Sequence, residues 1–195
     1  MVEKTMNSLI NKVELWAEER GLHLADSKAQ TLKVVEEFTE TLIAFDDGDI
    51  NAVIDGIGDT YVTLIILSNQ ISLDFRAFYD VVKNQEILKG SELDVHLGGR
   101  SKKVQPKSRD IYVDINNLVS GVAKNKSNLT KIGMYGIVLT LMQIENVYEV
   151  SDTDCLLAAY NEIKNREGKM VNGVFVKSED LKELFKNEHL GEWVE

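Results

Sequence analysis

The chain has 195 residues, 44% hydrophobic and 28% charged, the profile of a folded globular protein with room for one substantial core or two small ones. Its net charge is −10, and residues 1–90 alone carry 16 acidic against 8 basic side chains, which argues against a nucleic-acid backbone as the main partner. Cys155 is the only cysteine, no apolar leader opens the chain, and the longest apolar run, 61–67, is too short to cross a bilayer, so a cytoplasmic address without disulfide or membrane partner is expected.

Residues 7–20 place Leu9, Val13, Trp16 and Ala17 on one stripe with charge opposite, an amphipathic helix that Gly21 can stop. Ser27 with Gln30 makes a capping box for a second helix reaching about Phe45, with Leu32, Val35, Leu42 and Phe45 among its expected buried positions. Asp46-Asp47-Gly48-Asp49 reads as a turn, with Asp49 as N-cap of a third helix over 50–70. In that helix Val53, Ile57, Leu64 and Leu67, widened by Ile54, Ile65 and Ile66, point to burial on more than one side. Asp74 caps a fourth helix, from Phe75 to about Gln85. Residues 91–108, holding Gly98-Gly99 and the only proline, Pro106, read as a linker. Helical patterns follow at about 109–124, 130–148 and 153–166. Asn172-Gly173 between apolar residues of 169–177 predicts a type I′ hairpin, and Ser178 with Asp180 and Leu181 opens a short helix ending near Asn187.

Chemistry concentrates in residues 31–63. Glu36, Glu37 and Glu40 lie in one helix, Asp55 and Asp59 in the next, and Glu37/Glu40, Glu36/Glu40 and Asp55/Asp59 each stand on one helix face. If the two helices are antiparallel neighbours, the acidic faces converge. Carboxylates crowded without compensation imply a cation between them, and oxygen-only donors favour Mg²⁺ or Mn²⁺ over zinc. Gln30 and Lys33 face the same way as Glu37 and are candidate substrate contacts.

The chain also matches itself. Residues 77–86 resemble 158–167, with Tyr, Lys, Asn and the final Glu in common, and Ile57-Gly58 with 61–67 resembles Ile132-Gly133 with 135–142. A fused duplication follows: 1–90 as a first helical repeat with the carboxylates, 91–108 as linker, and 109–195 as a degenerate second repeat packed with it as one unit. In this alignment Tyr112, Val113, Asn116 and Met134 stand where Glu36, Glu37, Glu40 and Asp59 stand in the first copy. The second copy gains Lys164-Asn165-Arg166 and Lys169 instead. The inference is a composite site, with carboxylates holding a divalent metal on one side and Lys164, Asn165, Arg166 and Lys169 meeting phosphate oxygens on the other.

These residues carry a family resemblance. Glu36-Glu37-x-x-Glu40 followed by Asp55-Gly-Ile-Gly-Asp59, together with Trp16-x-x-x-Arg20-Gly21, Gln30-x-x-Lys33 and the tail 160–177, resembles the MazG-like all-alpha nucleoside triphosphate pyrophosphohydrolases of phage and bacterial type. The resemblance covers 5–90 and 150–180. It implies an all-α tandem bundle with a short β-hairpin near the C-terminus, and Mg²⁺-dependent cleavage of a nucleoside or deoxynucleoside triphosphate to the monophosphate and pyrophosphate. By carry-over, Glu37, Glu40 and Asp59 are metal ligands with Asp55 beside them. Glu36 binds a second metal or orients water, so that Glu36, Glu37 and Glu40 form the catalytic set. The family builds its site at a dimer interface; a duplicated chain would supply both halves, and a homodimer is a further candidate state. The family's second motif is Glu-x-x-Asp, whereas Gly56 occupies the Glu position here, with Asp55 at i−4 from Asp59. A nucleotide-binding or protein-interaction module without turnover is the rival reading.

The remaining chemistry-bearing residues read blandly. His23, His96 and His189 lack metal-ligand spacing, Cys155 reads as a small buried hydrophobe, Trp16 as core before base platform, and Gly98-Gly99 has no phosphate-loop context.

Overall fold

The computed structural model describes residues 5–84, 108–171 and 174–178. The fold is all-α with one antiparallel hairpin. In order come α1 (Met6–Glu19), a 3-10 turn (Leu22–Leu24), α2 (Ser27–Asp47), α3 (Ile50–Gln70) and α4 (75–84). Then follow α5 (Ser108–Ala123), α6 (Ser127–Tyr148), α7 (Asp152–Ile163), β1 (Gly168–Val171) and β2 (Val174–Lys177). Of the expected linker at 91–108, Ser108 instead opens α5 and the rest lies outside the described residues, as do the expected terminal helix beyond Ser178, the 172–173 turn, His96 and His189.

The ends of the helices follow local chemistry. The Thr5 hydroxyl accepts from Ser8 N at the start of α1, and Gly21 leaves it with φ +70°, a left-handed backbone that glycine adopts without penalty. Asp49 caps α3 by accepting from Asn51 N and Ala52 N. Asp26, not Ser27, caps α2, because its carboxylate accepts from Lys28 N, and Ser27 is the first helical residue. The buried stripe of α2 is also rotated from expectation. Thr31, Val34, Phe38, Thr41 and Ala44 face inward while Leu32 is 66% exposed. Two of these positions are threonines that satisfy themselves: Thr31 Oγ donates to Ser27 O, and Thr41 Oγ donates to Glu37 O and stands 3.1 Å from Thr60 Oγ.

α3 is the central element, buried almost continuously from Ile57 to Ser68. Taken whole it is long and apolar enough to cross a membrane, which the 61–67 run alone is not, but here α1, α2 and α7 cover it. Gly58 makes the last of these contacts possible, since a Cβ there would collide with the Cys155 carbonyl and come within 2.8 Å of Ala159 Cβ. α2 packs along α3, and α5 along α6.

The two halves repeat at a fixed spacing of 77 residues. The left-handed residues pair as Gly48 with Asn125 and Ser72 with Glu149. Asp49 N→Ala44 O is echoed by Lys126 N→Gly121 O, and Leu73 N→Ser68 O by Val150 N→Glu145 O. The caps of α4 and α7 pair likewise, with Asp74 accepting from Ala77 N and Ser151 from Asp154 N. This spacing corrects the alignment read from sequence. The similar runs 77–86 and 158–167 are one helical turn out of register, a slip that preserves helical face and therefore apolar pattern. The positions opposite Glu36, Glu37, Glu40 and Asp59 are Val113, Asp114, Asn117 and Gly136, so the second half keeps one carboxylate of the set. Asp114 lies directly over Gly136, and its carboxyl is pushed up to about 6 by burial and by Asp110.

Polar side chains tie the halves together inside the core. Tyr61 OH donates to Glu145 Oε1 at 3.0 Å, and Tyr79 and Lys83 both reach the Asp152 carboxylate.

Candidate functional site

A pocket of about 200 Å³ opens between α2, α3, the end of α7 and the hairpin. The rotation of α2 creates its acidic wall. With Val34, Phe38 and Thr41 turned to α3, Glu37 is drawn into the groove, while Glu36 and Glu40 point to solvent. Asp59 comes from the facing side of α3, one turn before Thr63, and Asp55 on the preceding turn is exposed. Burial pushes the Asp59 carboxyl up to about 7, with Glu37, Asp55 and Glu162 adding repulsion and Arg166 opposing it. Glu37 is raised for the same first reason, with Lys33 opposing and Glu40, Glu36 and Asp55 adding to it.

Lys33 lines the pocket but is already engaged, 2.7 Å from Glu36 and 3.8 Å from Glu37. Although burial would lower its pKa, the Glu36 hydrogen bond and the surrounding carboxylates raise it, so it stays a cation. Gln30 also lines the pocket, and its Nε2 donates to Thr63 O at 3.1 Å, fixing the start of α2 to α3.

The opposite wall depends on how α7 ends. The helix stops at Ile163 rather than about 166, Arg166 N bonds back to Ile163 O at 2.8 Å, and the turn places Arg166 on the pocket. Arg20 holds this segment from α1: its Nε donates to Arg166 O at 3.1 Å and its Nη1 to Trp16 O, with the guanidinium 4.7 Å from the Trp16 ring centre. The apolar end is built by Trp16, Leu22, Val62, Ile66 and Phe175, the two aromatic rings meeting edge-on at 6.2 Å.

Of the residues singled out in the sequence, the structure therefore gathers Gln30, Lys33, Glu37, Asp59 and Arg166. It does not gather the rest. Lys164 Nζ bonds to Asn161 Oδ1, and Asn165 and Lys169 are exposed away from the lining. Among the described residues, no three His, Cys, Asp or Glu side chains stand close enough to hold a metal ion. Glu37 and Asp59 are the pair in place, and the exposed Glu40 and Asp55 would have to turn inward to join them. Sequence reasoning named neither Val62 nor Ile66 as pocket residues, although their spacing of three and seven from Asp59 puts them on its face. Phe175 had no local signal, because it arrives through the hairpin's return.

No protein-family model matches the chain, and no solved structure does. Among curated proteins, it is similar to an uncharacterized 18.2 kDa protein of the rep–hol intergenic region of Haemophilus phage HP1 (strain HP1c1), with 35% identity over 71 residues. That match spans 35% of this chain and 43% of the phage protein.

Proposed function

We propose that the pocket binds and hydrolyses a nucleoside or deoxynucleoside triphosphate, releasing the monophosphate and pyrophosphate in the cytoplasm. The observation that carries this reading is the pairing of Glu37 and Asp59 on one wall with Arg166 on the other, around a groove whose inner end is apolar and aromatic. A planar base suits the Trp16, Val62 and Phe175 end, and phosphate oxygens suit Arg166, whose planar guanidinium offers paired donors.

The donors at hand fit a hard divalent cation in chemistry: all are oxygens, and Asp59 is a half-buried carboxyl whose nearest charges are mostly like its own. Mg²⁺, with Mn²⁺ as substitute, would be held by Glu37 and Asp59 with Glu40 and Asp55, and would supply charge neutralisation and an acidified water. The chain's own residues do the rest. Lys33, 3.8 Å from Glu37, favours its ionised form against burial, Gln30 holds the α2 and α3 walls in register, and Arg20 fixes the backbone that presents Arg166. Glu37 is placed to accept a proton from attacking water, and Arg166 to stabilise the leaving phosphates.

The test is pyrophosphate release from a panel of triphosphates with Mg²⁺. Glu37→Gln is expected to lower kcat by about 10²–10⁴-fold, the usual weight of a positioned base, while Arg166→Ala raises KM. Full activity of Glu37→Gln would overturn the acidic-wall mechanism. Tight triphosphate binding without turnover in the unaltered chain would replace it with the nucleotide-binding reading.

A further inference from the structure

The hairpin that carries Phe175 to the pocket is joined to the bundle unevenly. Its base is pinned: Arg166 N bonds to Ile163 O at 2.8 Å, and Arg20 Nε donates to Arg166 O at 3.1 Å. Beyond Arg166 the backbone bonds run within the hairpin itself. Ser178 N donates to Glu167 O at 3.0 Å, and β1 pairs with β2 from Gly168 opposite Lys177 to Val171 opposite Val174. Among the described residues, no helix packs along either strand. A two-stranded hairpin is at best marginally stable without packing on something else, so its attachment to the body rests on side chains.

Among the described hairpin side chains, Phe175 is the one that packs on the core. Met170 stands opposite it, and Gly168, two residues earlier, shares their face. Gly168 has no side chain to contribute and Met170 is exposed, whereas Phe175 is half-buried with its ring edge-on to Trp16 at 6.2 Å. Gly168 is what lets the ring lie there, since a Cβ would collide with the Phe175 ring and with the Val176 carbonyl. Trp16 cannot give way, being buried in α1 and covered by the Arg20 guanidinium at 4.7 Å. One wall of the apolar end is therefore fixed, and the facing wall is held by a single aromatic edge contact. Elements so weakly anchored are the ones that open first, and lids are drawn from them. We infer that the hairpin is the lid of this pocket: it turns about Glu167–Gly168, lifts Phe175 off Trp16 to admit a ligand, and then lays the ring on that ligand's planar group. Arg166, behind the hinge, stays in place for the charged end. The inference rests on the triphosphate reading only for the identity of the ligand.

The experiment is amide hydrogen exchange of the full chain, followed by mass spectrometry. In the free protein the stretch 168–178 is expected to exchange about tenfold or more faster than α7, although both are hydrogen-bonded. Phe175→Ala, a change outside the helices, should speed that stretch by about another tenfold, the scale of one aromatic contact. Gly168→Ala, which displaces the ring, should act in the same direction, and neither variant should alter α7. The α,β-methylene analogues of nucleoside triphosphates should slow exchange at 168–178 in the unaltered chain but not in Phe175→Ala. Tripolyphosphate, which has no ring to cover, should slow neither. Exchange at 168–178 as slow as in α7, no effect of Phe175→Ala, or analogue binding without slowing there would overturn the lid. Fast exchange that Phe175→Ala accelerates, with no response to the analogues and no pyrophosphate release, would leave the lid standing and overturn the triphosphate reading alone.

Discussion

At the scale of single residues the pocket is held in a costly charge state. Asp59 is half-buried beside Glu37, and this burial pushes its carboxyl up to about 7, above the usual carboxylate range. The folded chain therefore binds this proton more tightly than the unfolded chain, and Asp59 subtracts from stability as pH rises from about 4 through 7. Asp59→Asn should remove that loss, leaving a protein about 1–3 kcal/mol more stable than wild type at pH 8 and little changed near pH 4. Urea unfolding at the two pH values measures it; a variant less stable at pH 8 would mean that the carboxylate is compensated in the fold. The acidic residues were legible in sequence as a cluster, but which of them turn inward was not. Glu37 and Glu40 share a face on a helical wheel, and only the rotation of α2, set by Thr41 meeting Thr60 and Gly56, sends one in and leaves the other out. A reading that expects threonine outside and Leu32 inside places the stripe wrongly, because it omits the back-bonds that let threonine be buried without loss.

At the scale of elements, close contact between α3 and α7 positions Arg166. Gly58 admits the Cys155 carbonyl where any side chain would intrude. Gly58→Ala should therefore push α7 outward, costing about 1–3 kcal/mol as an overpacked contact, and should raise KM for triphosphate along with Arg166→Ala. Chemical denaturation with the same assay checks it, and a stability unchanged from wild type would show that α7 yields freely. Among the described residues helix existence was readable because caps and turns such as Asp49, Gly48 and Asp74 announce themselves locally. Register between the halves was not. Helical periodicity tolerates a slip of one turn, and only backbone geometry at Gly48/Asn125 and Ser72/Glu149 removes the ambiguity.

At the scale of the whole molecule, the raised carboxyls of the seam and the pocket titrate in one direction, and Asp152, also at the seam, in the other. Glu145 is pushed up to about 7 by burial and by Asp152, against the hydrogen bond from Tyr61, and Asp114 is pushed up to about 6. With Asp59 and Glu37, these raised carboxyls favour the fold most where they stay protonated, and their contribution is lost as pH climbs through their folded values. Asp152 behaves oppositely. Burial alone would raise it, but the bonds from Lys83 and Tyr79, with Lys83's charge and Thr153, hold it below the ordinary carboxylate range. Its contribution is present above that range and lost as pH falls through its folded value. The two trends cross between them, so thermal stability should peak at mildly acidic pH, about 5, and decline toward both about 3 and about 8. Melting temperature followed across that interval gives the curve. Glu145→Gln should flatten its alkaline limb. Asp152→Asn should flatten the acid limb while lowering stability at the maximum by about 1 kcal/mol, a small cost because the Lys83 side chain it leaves without a carboxylate is 46% exposed and screened by solvent. A melting temperature that keeps rising to pH 8 would mean that the seam carboxyls ionise without penalty, their charge compensated by the donors that face them.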